Sequence, residues 1–274
     1  MNSGVLFQLK EKLKLQTSDF LNPAPVAQQR IVSLVPSQTE LLFHLGLEAS
    51  VAGITKFCIH PESWFRSKTR IGGTKTPRIE QIRALNPTLV LANKEENRKE
   101  DIDELARFFP VYVSDISNLN DALNMIADVG ELTGTREPAA RIISGIETAF
   151  AALTPPEPAL KTAYLIWHEP AMAAGNDTFI HDMMHRCGFS NVFAETARYP
   201  ETHIEILRQL GCEVLLLSSE PFPFAEKHAA FYREQLPGVT VLLADGEMFS
   251  WYGSRLLEAP AYFRQLIALA RQHR

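Results

Sequence analysis

IEQIRALNPTLVLANKE, residues 79–95, and IEILRQLGCEVLLLSSE, residues 204–220, are one pattern written twice, 125 positions apart. Ile, Glu, Arg and Leu recur at matching places, and Glu95 and Glu220 close the two copies. In the first copy Ile79, Ile82 and Leu85 fall three apart, which spells one apolar helix face, and the run from Thr88 to Ala92 reads as a buried strand. Thr76 followed by Pro77 predicts a capped helix start, and Thr202 with Glu205 predicts a capping box ahead of the second copy. A helix-and-strand unit repeated at this distance predicts a structural duplication, with one α/β lobe built around each copy.

Upstream, RIVSLVPSQTELLFHLG, residues 30–46, carries the same grammar. Ile31 to Val35 reads as a strand, Ser37 and Glu40 as a capping box, Leu41, Leu42 and Leu45 as the inward face of a helix, and Gly46 as its stop. A second strand, Ser50 to Thr55, follows at once, so strand, helix and strand succeed each other as in a parallel sheet covered by helices. A helix at about 98–108 and the strand Val111 to Val113 complete the first lobe. Between the copies, residues 119–133 and about 136–153 read as two helices broken at Gly134, with Ile142, Ile146 and Phe150 on one stripe. The second lobe opens with the strand Thr162 to Trp167 and a helix from about Thr178 to Cys187. After the repeated unit come a helix near 225–235, the strand Val239 to Leu243 and a closing helix from about 255. The expected fold is therefore two parallel-sheet α/β lobes bridged by a long backbone helix, divided as an extension 1–27, a lobe 28–118, a helical linker 119–156 and a lobe 157–274.

Composition narrows the function. With 46% hydrophobic residues in 274, the chain can fill one large core or two medium ones. Its 27 basic and 32 acidic residues leave a net charge of -5, which argues against a broad nucleic-acid footprint. Cys58, Cys187 and Cys212 are odd in number and widely spaced, so they form neither a disulfide framework nor a paired metal motif. No apolar run approaches the roughly 18 residues that a spanning helix needs. The first twenty residues lack the ordered parts of an export signal, so a natural start at residue 1 implies a cytoplasmic protein, and an altered start leaves the periplasm open.

In α/β sheets ligands meet the loops beyond the carboxyl ends of strands. Those loops here are rich in aromatic side chains: Phe57, Trp64, Trp167, Phe222, Phe249, Trp251 and Tyr252. They predict a broad, partly apolar cleft for a bulky or flat ligand. Nucleotide-binding glycine loops and the GxSxG elbow are missing from the sequence. HDMMH, residues 181–185, has aspartate where metalloprotease chemistry uses glutamate, and reads as the polar face of a helix. Cys58 and His60 are candidate metal donors, with Glu95, His168, Glu220 or Glu247 as partners; a cleft-wall role for His60 is the alternative.

RIVSLVPSQTELLFHLG, PRIEQIRALNPTLVLA (77–92), LIWHEP (165–170) with the loop holding Gly175, and CGFSNVF (187–193) resemble the helical-backbone class of periplasmic substrate-binding proteins. The resemblance covers about residues 28–270, and the spacing is most similar to the cobalamin-binding branch. It implies two α/β lobes joined by a long helix, a ligand held between them, and non-catalytic binding of a metallo-organic molecule: a corrinoid, haem or a ferric siderophore. The aromatic positions of that branch fall on Phe57, Trp167 and Tyr199, while two of its tryptophan positions are Thr74 and Asn93 here. The resemblance further implies docking to an ABC permease through Glu80 and Glu205, one glutamate per lobe. The expected ligand set is Phe57, His60, Trp64, Asn93, Trp167, Tyr199, Phe222, Glu247, Phe249 and Trp251. Two other readings stay open: a cytoplasmic enzyme using Cys58, His60 and the cluster Asn93, Lys94, Glu95, Glu96 and Asn97 on a polar substrate, and a regulatory interaction protein that keeps the binding-protein fold.

Overall fold

The computed structural model describes residues 28–155 and 157–272; the extension 1–27 lies outside them. The chain forms two compact units. One holds the described residues up to Asp115 together with Leu123–Ile143, and the other holds Ile116–Ala122 and the described residues from Ser144 onward.

The first unit is built on β1 (Ile31–Ser33), β2 (Val51–Ile54), β3 (Thr69–Arg70), β4 (Leu89–Asn93) and β5 (Val111–Ser114). They form one sheet in the order β3-β2-β1-β4-β5, parallel throughout. Helices α1 (Pro36–His44), α2 (Glu62–Ser67), α3 (Ile79–Leu85) and α4 (Lys99–Leu105) connect these strands. Its core joins Val32, Leu34, Val90 and Ala92 of the sheet region to Ile82, Ile102 and Leu105 of the helices, all buried. Each such side chain taken out of water contributes about 1.5–3 kcal/mol against the entropy of ordering the chain.

Helices α5 (Leu119–Thr133) and α6 (Arg136–Ala151) follow, and the break between them is Gly134 at φ 71°, a left-handed position that suits glycine. Close approach in this corner also needs Gly130, where a Cβ would lie 2.5 Å from that of Ala139. Both helices are divided between the units: residues 123–143 belong to the first, 116–122 and 144 onward to the second.

The second unit has β6 (Leu160–His168), β7 (Ala171–Ala173), β8 (Phe189–Asn191), β9 (Val214–Ser218) and β10 (Thr240–Ala244). The order is β10-β9-β6-β7, with β8 also paired to β6. All pairs are parallel except β6 with β7, a hairpin that follows the end of the long β6. Its helices are α7 (Phe179–Arg186), α8 (Ile204–Gln209), α9 (Glu226–Gln235), α10 (Gly246–Ser250) and α11 (Ala259–Gln272), with a 3-10 turn at Ser254–Leu257.

The sequence repeat is a structural one. β4 and β9 occupy 89–93 and 214–218, and α3 and α8 begin at 79 and 204, so the offset of 125 is kept in both elements. Each strand is buried along its whole length in a different sheet.

The helix starts need correction. α1 begins at Pro36, with Val35 rather than Ser37 preceding it, because proline at the first helical position loses no hydrogen bond; Ser37 and Glu40 are buried within the helix. In front of α3, Pro77 makes a bridge to Gly72 and Arg78 N–H donates to Ile71 O at 2.7 Å. In front of α8, Glu201 bridges Met172 and Thr202 N–H donates to Ala171 O at 2.8 Å. Thr76 thus lies in a tight bend closed on Gly73 and Thr202 in a connection tied to Ala171, and neither supplies a side-chain cap. Thr178, read from the sequence only as the approximate start of this helix, caps α7, its hydroxyl accepting from His181 N–H at 3.2 Å.

Candidate ligand-binding site

In the second unit, β6 and β9 end side by side, and the residues just past them meet α9. There a surface pocket of about 640 Å³ opens. Trp167, Phe222 and Phe231 give it ring surface, His168 and His228 two imidazoles, and Glu169 and Lys227 one charge of each sign. Trp167 and Phe231 are 40% and 46% exposed, unusual for such large apolar rings and therefore informative. The indole of Trp167 packs edge-on against Phe222 at 5.7 Å, and its Nε1 donates to Glu169 O at 3.2 Å, so the ring is held in place while a face stays open.

His168 sits among other rings. Phe222, Phe224, Phe231 and Tyr232 have centroids 5.6–6.1 Å from it, and His228 lies at 5.0 Å. Its Nδ1 is 3.5 Å from the Tyr232 hydroxyl, and its Nε2 is 3.8 Å from Glu169 Oε1. Tyr232 keeps its proton, since burial pushes its phenol up to about 12. His228 accepts the Ala225 N–H on Nδ1 at 2.9 Å, which serves the free amino end of α9. Desolvation, then Lys227 and His168, push its pKa below the ordinary imidazole value. A short helical spacing explains the wall: His228, Phe231 and Tyr232 are three and four apart and share one face of α9. The sequence reading missed this face, although the order His, Phe, Tyr after EPFPF carried the signal.

Other expected residues have different surroundings. Phe249 is fully buried between Tyr164 at 4.9 Å and Phe263 at 4.7 Å, a core position. Trp251 is also buried; its Nε1 donates to Glu220 Oε1 at 3.1 Å, and Arg255 lies over its ring. Glu247 pairs with Arg255 at 3.2 Å, both largely enclosed. Burial raises the pKa of Glu220, whose carboxyl group also accepts from Ser250 Oγ at 2.6 Å. Tyr199 is half-buried beneath the Arg198 guanidinium.

In the first unit Phe57 is half exposed, with Lys56 Nζ 5.0 Å from its ring centre, and His60 is partly exposed nearby in the chain. Trp64 is fully buried, edge-on to Phe43 at 5.5 Å. Asn93 is buried and ties the turn after β4: Oδ1 accepts from Glu95 N–H and Glu96 N–H, and Nδ2 donates to Ser114. Asn97 similarly serves Asn93 N–H and Thr74 O. Cys58 is buried 3.1 Å from both Thr39 Oγ1 and Thr55 Oγ1, and desolvation pushes its thiol up. Cys187 and Cys212 are buried too, the latter thiol pushed up to about 11. No group of three or more His, Cys, Asp or Glu among the described residues could hold a metal ion. Glu80 and Glu205 project from the first turns of α3 and α8, each with an arginine three residues on, Arg83 and Arg208.

A family model described as periplasmic binding protein matches residues 31–221. The chain belongs to the periplasmic binding protein family. Among similar relatives, the vitamin B12-binding protein of Vibrio parahaemolyticus is 26% identical over 195 residues, 69% of this chain and 70% of the relative. That of Pectobacterium atrosepticum is 23% identical over 241 residues, 84% and 85% of the two chains. Two solved structures share the fold: a periplasmic haem-binding protein from Roseiflexus (TM-score 0.75, 21% identity, 90% of this chain and 99% of that one), and the periplasmic vitamin B12 binding protein of Vibrio cholerae (TM-score 0.74, 20%, 89% and 98%). Membership of this family leaves the cytoplasmic placement without support. No helix among the described residues is long and apolar enough to cross a membrane.

Proposed function

We propose that this chain is a non-catalytic binding protein for a bulky metal chelate (a corrinoid, haem or a ferric siderophore) and that it works in the periplasm with an ABC transporter. The observation that carries the reading is the open aromatic pocket at the end of β6, where Trp167 and Phe231 leave ring surface exposed beside two imidazoles. Rings of this kind contribute contact area with little entropy to lose, which suits a large, partly apolar ligand. Names of relatives agree: vitamin B12, haem and ferric hydroxamate. Of the expected ligand contacts, Trp167 and Phe222 belong to this pocket, whereas Trp64, Phe249 and Trp251 are committed to packing, Asn93 to a turn and Glu247 to Arg255. The buried, proton-holding thiol of Cys58 supplies no thiolate for a catalytic role at neutral pH.

Glu80 and Glu205 are the proposed permease contacts, since the repeat sets them in equivalent first turns and leaves both exposed. Native mass spectrometry and absorption spectroscopy of the protein as purified test the function directly: a retained metal chelate supports it, and failure to take up aquocobalamin, ferric haem or a ferric hydroxamate on titration refutes it.

A further inference from the structure

In the second unit, Asn191 and His181 meet in a hydrogen bond whose direction is fixed. The Asn191 side chain is buried; its Oδ1 accepts from Phe193 N–H at 2.9 Å and its Nδ2 donates to Ala174 O at 2.9 Å. Turning the amide over loses both bonds, so Nδ2 is the group that faces His181 Nδ1 at 3.1 Å. Nδ1 must accept there, which leaves the proton of the neutral ring on Nε2. A protonated ring carries N–H on both nitrogens and sets a donor against a donor. The native contact and the imidazolium exclude each other.

This contact sits where two segments are laced together. Ala174 O, held by Asn191, precedes Gly175, whose N–H donates to Arg198 O at 2.7 Å, and Asn176 N–H donates to Thr196 O at 2.9 Å. Arg198 N–H donates in turn to Asp177 Oδ1. Thr178 closes the segment, its hydroxyl donating to Gly175 O at 2.9 Å and accepting from His181 N–H. These bonds accompany a left-handed Arg198 at φ 61°, a costly conformation for a residue with a Cβ, and its guanidinium lies over the Tyr199 ring. Such a backbone persists only while its surroundings impose it.

The charged groups that act on the His181 ring are His185 and Asp182 of its own helix. Asp182, which favours the imidazolium, is already engaged by Leu119 N–H and Arg186. From neighbouring elements, Asp177 is taken by Arg198 N–H, Glu247 of α10 by Arg255, and Asp121 of α5 by Ser117 and Asn118, while β8 carries no charge. Burial first and His185 second push the His181 pKa below the ordinary imidazole value of 6.5, Asp182 opposing. The stability this ring contributes is complete above that value and is lost as pH falls through the folded one.

We infer that His181 is a pH-sensitive latch: neutral, it accepts from Asn191 and keeps segments 174–178 and 196–199 closed on each other; protonated, it releases Asn191 and the loop carrying Arg198 and Tyr199 opens. Tyr199 is an expected ligand contact, so acid also weakens capture there. That consequence rests on the proposed function; the latch itself does not.

The test is run on the full chain without ligand, so its failure and that of the proposed function are separate. Nitrogen–proton correlation NMR at pH 8 should show the neutral His181 ring protonated on Nε2 alone. Amide hydrogen exchange, corrected for the intrinsic rate, should show the protection of Gly175 and Asn176 falling about tenfold or more between pH 7.5 and pH 5, with the amides of β9 unchanged. His181→Gln offers Oε1 to Asn191 and does not titrate, so its loss over the same interval should stay below about threefold. A proton on Nδ1 at pH 8 overturns the latch. So does protection that is equal at both pH values in the wild type, that falls in β9 as well, or that falls as far in His181→Gln. If the variant does not fold, the tautomer and the wild-type exchange decide alone.

Discussion

The indole Nε1 of Trp251 donates to Oε1 of Glu220 at 3.1 Å, joining α10 to the loop after β9 across 31 positions of chain. Ser250 Oγ donates to the same oxygen at 2.6 Å, so one buried carboxylate orients the end of α10. Gly246 makes room for it: a Cβ there would stand 2.5 Å from Glu220 Cγ.

This carboxylate predicts a pH dependence. Burial, as the largest cause, raises the Glu220 pKa above its ordinary value of 4.5, with Glu247 and Asp245 acting the same way and the Ser250 and Trp251 hydrogen bonds opposing. The folded state therefore holds the proton more tightly than the unfolded chain. Its contribution to stability is fully present below pH 4.5 and is lost as pH rises through the folded value. Glu220→Gln keeps an acceptor for Ser250 and Trp251 and removes the charge. Thermal melts of both proteins from pH 4 to 8 should show the variant gaining on the wild type as pH rises; a gap that stays constant with pH would locate the cost elsewhere.

Gly175 predicts a backbone clash. Its N–H donates to Arg198 O at 2.7 Å, and a Cβ would meet Thr196 O at 2.2 Å and Arg198 O at 2.7 Å. Backbone atoms on both sides cannot swing away, so Gly175→Ala should cost about 1–3 kcal/mol or more, read as a lowered urea midpoint with an unchanged slope. A midpoint equal to that of the wild type would mean that this loop is loose in solution.

The three thiols should be silent. All are buried and all are pushed toward the protonated form by desolvation. A chromogenic disulfide reagent at pH 8 should label none in the native protein within the time that it labels all three in guanidinium. Fast labelling of Cys58 alone would revive the catalytic alternative.

Much of the fold was legible because the repeat is long and its polar ends match: Ile79 with Ile204 and Glu95 with Glu220 fix an offset that β4 and β9 obey to the residue. Helix starts were less legible. Thr76 and Thr202 have the chemistry of caps, yet the bridges Gly72–Pro77 and Met172–Glu201 claim the backbone around them. Loop aromatics were legible as a class but not one by one. Trp167 and Phe57 do face outward, whereas Trp64, Phe249 and Trp251 turn inward, since direction depends on contacts far along the chain such as Trp64 with Phe43 and Trp251 with Glu220. His168 was visible only as one possible donor among several; its partners on α9 come from a helix whose apolar face is short and mixed with charge.

The measurement that reaches the central claim most directly is calorimetric titration of the wild type and Trp167→Ala with ferric haem, aquocobalamin and a ferric hydroxamate. At least one should bind the wild type, and the variant should bind it about 5- to 150-fold more weakly, the equivalent of about 1–3 kcal/mol of lost ring contact, with its melting temperature little changed. Binding of none of the three, or equal affinity in both proteins, would contradict the assignment of this chain as a metal-chelate carrier that works through the Trp167 pocket.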